Sequence, residues 1–84
     1  MIKEEFIAEK AAELFLSEML AKMATGQLRG EQVVKIHKCV VNVLCKNKTG
    51  WDLLACIVDN MHLAYYRVKE VGFEEAMRGL GCPI

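Results

Sequence analysis

The pattern of apolar and polar positions along the 84-residue chain predicts helices from one end to the other. Glycine-containing breaks fall at positions 26–30, 47–50 and 72, and the stretches between them have helical length. The spacing predicts helices over about Lys3–Ala24, Glu31–Lys46, Gly50–Val71 and Phe73–Arg78, followed by a loose tail from Gly81 to Ile84. We therefore expect an all-α single domain over residues 1–84, a small bundle of three main helices with a short C-terminal helix.

The first predicted helix carries apolar residues on two faces. One face comprises Phe6, Ala12, Leu16, Met19, Leu20 and Met23; the other comprises Ile7, Ala11, Leu14 and Ala21, and Phe15 stands apart from both. A helix on the surface of a globular protein needs only one apolar stripe, which faces its own core. We therefore expect the first helix to contact a second body as well.

The second predicted helix is rich in β-branched valines, which would also suit a strand. The period of the pattern decides between the two structures. At 3.6 residues per turn, Val33, Val40 and Val43 share one side of a helix, whereas Lys35 and Lys38 share the other. Strand alternation would mix the two groups on both faces, so the pattern favours a helix.

The third predicted helix begins after Thr49, whose hydroxyl is expected to cap its first turn. Its core-facing stripe comprises Leu54, Ile57, Val58, Met61, Ala64, Tyr65 and Val68. Cys56 and Leu63 lie on the far side, and Tyr66 falls among polar residues. A helix of 22 residues is about 33 Å long, more than a domain of this size needs, which suggests a spine shared with a second subunit.

A homodimer accounts for both the two-faced first helix and the long third helix. Apolar residues make up 54% of the chain. A chain this short buries only about 60–65% of the surface that its unfolded form exposes, so the surplus apolar surface is expected at an interface. The candidate dimer-interface residues are Ile7, Leu14, Phe15, Cys56 and Leu63.

The charges balance overall, with eleven basic and eleven acidic residues, so the chain has no general field that attracts nucleic acid or an anionic membrane. The distribution is uneven, however. Residues 26–48 contain five basic residues and one acidic residue, a net charge of +4, whereas both flanking segments are acidic. We expect these segments to complement one another within one subunit or between subunits.

The four cysteines are interpreted as reduced thiols in a cytoplasmic protein, because the N-terminal residues do not resemble an export signal. The longest apolar run, residues 53–58, is far too short to span a membrane. Cys39 and Cys45 are six residues apart, and His37 and Cys39 are two apart, so the members of each pair fall on different sides of a helix and do not form the close ligand pair that a zinc site favours. We expect no metal and no cofactor.

The sequence contains no catalytic motif, so we expect a protein that is not an enzyme. Cys56 and His62 are six residues apart on one helix and cannot meet, and no glycine-rich phosphate loop is present. The favoured function is a protein–protein interaction module: an adaptor, inhibitor or regulator of a larger cytoplasmic protein. The candidate partner-binding residues are Trp51, Tyr66, Arg29, Lys35, Lys38 and Lys46.

Nucleic-acid binding through the basic second helix is the alternative function. The second and third helices can be read as a helix-turn-helix motif joined by residues 47–50, with the lysines contacting phosphates. The third helix, however, begins with Trp51, Asp52 and Leu53, where a recognition helix would carry base-reading Arg, Asn or Gln. The sequence therefore favours a protein partner over nucleic acid.

Overall fold

A computed structural model of the chain describes residues 3–26 and 28–83, and these residues form four helices. The helices are α1 (Lys3–Ala24), α2 (Gly30–Cys39), α3 (Gly50–Val71) and α4 (Phe73–Leu80), and a π-helical turn (Val40–Leu44) continues α2. The described ranges contain no strand, which confirms the all-α prediction. In the same ranges, no helix is long and apolar enough to cross a membrane. The homodimer stays a prediction.

The core forms mainly where α1 packs along α3. The predicted stripe of α3 is confirmed, since Ile57, Met61, Ala64 and Val68 are buried. The first predicted face of α1 supplies the opposite side of this core through Ala12, Leu16, Met19 and Met23. Helix α4 folds back against α3 and contributes Ala76 and Met77, while Ile36, Cys39 and Val40 close the core from the α2 side.

A side chain from α1, rather than the predicted hydroxyl, caps the start of α3. Thr49 occupies the N-cap position, but its side chain forms no capping hydrogen bond. The backbone N–H of Gly50 instead donates to the Glu9 carboxylate at 2.7 Å. A carboxylate at a helix N-terminus satisfies a free N–H group and interacts favourably with the helix dipole. The contact therefore ties the first turns of α1 to the beginning of α3.

The π-helical turn changes which residues of the second helical stretch face the core. The N–H of Cys45 donates to the carbonyl oxygen of Val40, five residues earlier, at 2.8 Å. A π turn contains more residues than an α turn, so every later side chain is rotated backwards relative to a regular helix. Cys45 is consequently buried, with 2% of its surface exposed, whereas Val43 is 48% exposed. The prediction that Val43 faces the core is wrong for this reason.

The four cysteines form two disulfide bonds, Cys39–Cys82 and Cys45–Cys56. The Cα atoms are 5.8 Å apart in each pair, within the range that disulfides require. Structural disulfides are typical of proteins in oxidising environments, such as secreted or extracellular proteins. The prediction of reduced thiols in a cytoplasmic protein is therefore wrong. That prediction was drawn from the N-terminal residues, whereas the disulfides depend on which cysteines the fold brings together.

A left-handed turn at the end of α4 brings Cys82 to its partner. Gly81 has a φ of 81°, and the N–H of Cys82 donates to the carbonyl oxygen of Met77 at 2.9 Å. This is the hydrogen-bond pattern of a Schellman motif, which reverses the chain after a helix. The segment Gly81–Pro83 is thus held by a disulfide bond and a backbone hydrogen bond. The prediction of a loose tail is therefore wrong for these residues, and Ile84 lies outside the described residues.

Candidate interaction surfaces

A row of aromatic rings crosses from α1 to α3 on the surface of the bundle. Phe15 of α1 packs edge-on against His62 of α3, with 5.3 Å between ring centroids and an interplanar angle of 88°. His62 lies 6.4 Å from Tyr66, and Tyr66 packs edge-on against Tyr65 at 5.5 Å. Edge-to-face packing is a favoured geometry for aromatic pairs, so the row is a defined surface feature.

The second apolar face of α1 continues this row into solvent. Ile7 and Leu14 are seven residues apart, which is close to two helical turns, so they project from the same side of α1. Ile7 is 52% exposed and Leu14 is 65% exposed. The helical wheel places both residues on the side of α1 that adjoins Phe15 and turns away from the buried stripe. Both predicted interface residues are thus accessible to another molecule.

Helix α3 contributes a matching exposed stripe. Trp51, Ala55, His62 and Tyr66 follow one another at intervals of four, seven and four residues, which puts them on one side of the helix. Trp51 is 59% exposed and Tyr66 is 57% exposed. Because His62 contacts Phe15, this stripe borders α1. We refer to Ile7, Leu14, Phe15, Trp51, His62 and Tyr66 together as the α1–α3 face.

The remaining two predicted dimer-interface residues, Cys56 and Leu63, lie on a different flank of α3. They are seven residues apart and share one side of the helix. That side faces the π turn, because Cys56 is bonded to Cys45. The Asn60 amide donates to the Cys56 carbonyl oxygen at 2.9 Å and lies 3.3 Å from the Cys56 sulfur. Cys56 therefore belongs to an intrachain contact, whereas Leu63 lies on this flank only three residues before Tyr66 and so borders the α1–α3 face.

A second surface of interest is a shallow groove beside α2. Its polar lining residues are Lys35, Lys38 and Asn42, at spacings of three and four residues that place them on one side of the helical stretch. The apolar residues Cys39, Val43 and Pro83 complete the lining, and the volume of the groove is about 260 Å³. We refer to these six residues as the basic groove.

The lysines of this groove have no acidic partner among residues 3–26 and 28–83. No Asp or Glu carboxylate in these ranges lies within 4.0 Å of the ammonium group of Lys35, Lys38 or Lys46. Of the predicted basic residues, Arg29 does have a partner, Glu31, at 3.5 Å. Lys46 is exposed but does not line the groove. The excess positive charge of this segment therefore remains available at the surface.

The arrangement of side chains suits noncovalent contact. In the part of the chain that the structure describes, no group of three or more His, Cys, Asp or Glu residues is placed to hold a metal ion. All four cysteine sulfurs are in disulfide bonds. Reasoning from the sequence missed the basic groove because two of its features, the exposed Val43 and the anchored Pro83, depend on the π turn and on the Cys39–Cys82 bond.

No family model matches the chain, and no curated protein or solved structure shows significant similarity to it.

Proposed function

We propose that this protein is a small non-catalytic interaction module that acts as an adaptor, inhibitor or regulator of another protein through its α1–α3 face. In the isolated protein, the same face packs against a second copy of the chain. The observation that carries this proposal is the row of rings that crosses from α1 to α3: Phe15 packs against His62, His62 lies beside Tyr66, and Leu14, Trp51 and Tyr66 are each more than half exposed.

The residue types on the α1–α3 face are those that anchor protein interfaces. Trp and Tyr are enriched among the residues that contribute most to binding, because they bury a large area and keep a polar atom for the rim. Contiguous apolar patches of this kind are uncommon on monomeric soluble proteins and mark sites of interaction. In a homodimer with two-fold symmetry, the same patch occurs on both subunits, so each of these side chains would contribute twice to the binding free energy.

The free energy that the exposed apolar side chains can contribute favours a reversible dimer over a permanent one. Ile7, Leu14 and Trp51 are each about half exposed, so burying each of them fully contributes about 1 kcal/mol, half of the usual value for a large apolar side chain. Six such contributions from two copies, about 6 kcal/mol, are of the same size as the loss of translational and rotational freedom, about 4–15 kcal/mol. We therefore expect a weak, reversible dimer that exchanges with another partner.

A matched pair of charge substitutions tests the proposal. Leu14→Glu places a carboxylate in the α1–α3 face, whereas Val71→Glu places the same charge on the side of α3 opposite to Trp51 and Tyr66, where Val71 is 47% exposed. Light scattering should show that Leu14→Glu is monomeric and that Val71→Glu dimerises as the unsubstituted chain does. Circular dichroism should show unchanged helix content in both variants, because both positions are exposed.

The opposite result for this pair contradicts the proposed surface. If Val71→Glu separates the dimer and Leu14→Glu does not, self-association uses a different side of α3. If both variants keep the mass of the unsubstituted chain, neither surface is the interface.

A further inference from the structure

The basic groove is built by two local features that act together. The π turn rotates Val43 out of the core, so that Val43 joins Cys39 in the apolar lining, or floor, of the groove. The left-handed turn at Gly81 and the Cys39–Cys82 bond hold Pro83 at the groove as a further apolar wall residue. A regular α2 and a free tail would leave only a row of lysines on an exposed helix.

We propose that the basic groove binds an acidic peptide segment of a partner protein, and that the Cys39–Cys82 bond is required for this binding. Carboxylates of the segment pair with the ammonium groups of Lys35 and Lys38. An apolar side chain of the segment lies on Val43 and against Pro83. The Asn42 side chain on the same edge offers an amide to the backbone of the bound segment.

Charge complementarity identifies the occupant as acidic. The groove lies in the segment of net charge +4, and its two lysines have no Asp or Glu partner within 4.0 Å among residues 3–26 and 28–83. Solvent-exposed ion pairs contribute only about 0.2–1 kcal/mol each, so two of them give a weak complex. The apolar floor must therefore contribute as well, which indicates a segment that combines acidic and apolar residues.

The shape of the groove favours a peptide over nucleic acid or a membrane. Nucleic acid is held through many cationic and polar contacts to phosphates, whereas the floor between these lysines is apolar. Membrane-binding surfaces project apolar side chains into the bilayer, whereas Val43 and Pro83 line a depression. A depression of about 260 Å³ with cations on one edge suits an inserted side chain with a carboxylate beside it.

This inference goes beyond the proposed function, because the groove is a second surface that shares no residue with the α1–α3 face. A dimer formed through α1 and α3 leaves Lys35, Lys38 and Pro83 outside its interface residues. Failure of either proposal would leave the other intact.

Fluorescence anisotropy with a defined probe tests the proposal. The probe is a short fluorescein-labelled peptide of Asp and Glu with a central Leu-Phe pair, titrated with the oxidised full chain. It should bind with a dissociation constant on the order of 0.1–1 mM, and the affinity should fall as salt is added. The double variant Lys35→Gln/Lys38→Gln should bind about tenfold more weakly, since two exposed ion pairs are lost.

The chain offers a matched control for charge. Lys46→Gln/Lys48→Gln removes the same net charge from two exposed lysines of the same segment that do not line the groove. This variant should bind the probe within about twofold of the unsubstituted chain, because exposed charges outside the contact are largely screened. An equal loss of affinity in both double variants would overturn the groove as the site.

The role of the disulfide is tested separately. Cys39→Ala/Cys82→Ala should weaken probe binding although both lysines remain, because Pro83 loses its anchor. Pro83→Glu gives a second test that leaves both disulfides in place: a carboxylate on the wall should repel the acidic probe, whereas Pro83→Leu should bind as the unsubstituted chain does. Full affinity in Pro83→Glu, or in a folded Cys39→Ala/Cys82→Ala variant, would contradict the proposal.

Two further probes identify the class of partner. A short DNA duplex and vesicles containing phosphatidylglycerol should each bind more weakly than the acidic peptide at the same salt concentration. Tighter binding of the duplex or of the vesicles would overturn the assignment to a protein partner, as would the absence of peptide binding up to about 1 mM. Leu14→Glu should bind the peptide unchanged, which separates this test from that of the α1–α3 face.

Discussion

Single residues determine where the helices of this protein begin and end. Glu9 accepts a hydrogen bond from Gly50 and so fixes the start of α3 from a neighbouring helix. Gly81 adopts a left-handed conformation that turns the chain after α4 and directs Cys82 towards Cys39. In both cases, the backbone at the end of a helix is tied to a part of the chain that is distant in the sequence.

Substitution of Gly81 should destabilise the protein through its backbone alone. A Cβ atom at Gly81 would meet nothing within 4 Å, but its φ of 81° is unfavourable for residues with a side chain. Gly81→Ala should lower the free energy of unfolding by about 1 kcal/mol, measured by urea denaturation.

Gly79→Ala is the control for this effect. Gly79 lies within α4, and an added Cβ would make only ordinary contacts at 3.8 Å with Arg67. Alanine is a better helix former than glycine, so this variant should be as stable as the unsubstituted chain or more stable by up to about 1 kcal/mol. Equal stability of the two variants would argue against the left-handed turn.

The π-helical turn is the element that organises the α2 side of the molecule. It buries Cys45 next to Cys56 and exposes Val43 at the basic groove. One irregular turn thus determines both a disulfide and the floor of a candidate binding site. Single-turn π segments within α-helices are frequently found at functional sites.

Removal of one residue from the turn should restore a regular helix and keep the Cys45–Cys56 pairing, because a π turn holds one residue more than an α turn. Without Asn42, which is exposed, Cys45 follows Val40 by four residues and keeps the orientation that the π turn gives it. Insertion of one alanine after Asn42 instead rotates Cys45 away from α3 by about 100°. In a thiol assay, the deletion variant should therefore contain no reactive thiols, whereas the insertion variant should contain two per chain. Two reactive thiols in the deletion variant would contradict the assigned role of the turn.

The regular helices could be predicted from the sequence, but the π turn could not. The bounds of α1 and the buried stripe of α3 follow from periodicity, because each buried residue recurs at helical spacing. A π turn shifts that period once, at Val40–Leu44, without a distinctive residue type. The pairing of Cys45 with Cys56 and the exposure of Val43 depend on this shift, so both were missed.

At the scale of the whole molecule, the disulfides supplement a small core. The Cys39–Cys82 bond spans 43 residues and joins the end of the described chain to α2, whereas Cys45–Cys56 spans 11 residues. A disulfide stabilises a protein mainly by restricting its unfolded state, and the effect grows with the length of the closed loop. The longer loop should therefore contribute more stability.

Paired alanine substitutions measure this difference. Cys39→Ala/Cys82→Ala should lower the free energy of unfolding by about 4 kcal/mol, and Cys45→Ala/Cys56→Ala by about 3 kcal/mol, in urea titrations of the monomeric Leu14→Glu background. A larger loss of unfolding free energy in Cys45→Ala/Cys56→Ala would show that packing around Cys45 contributes more to stability than the restriction of the unfolded chain.

The α1–α3 face combines predicted and unpredicted features. Ile7, Leu14 and Phe15 were identified because the first helix has a second apolar face that its own core does not use. The assignment of Cys56 and Leu63 to the same interface did not follow from periodicity, since a helical wheel does not show which flank of α3 adjoins α1. The contact between Phe15 and His62 supplies that information.

Equilibrium sedimentation of the oxidised chain tests the central proposal most directly. The chain has a mass of 9.5 kDa, so a dimer has twice this mass, about 19 kDa. Across a dilution series from about 1 mM to about 1 μM, we expect the weight-average mass to fall reversibly from the dimer value towards the monomer value. A mass of 9.5 kDa at every concentration would contradict self-association through the α1–α3 face.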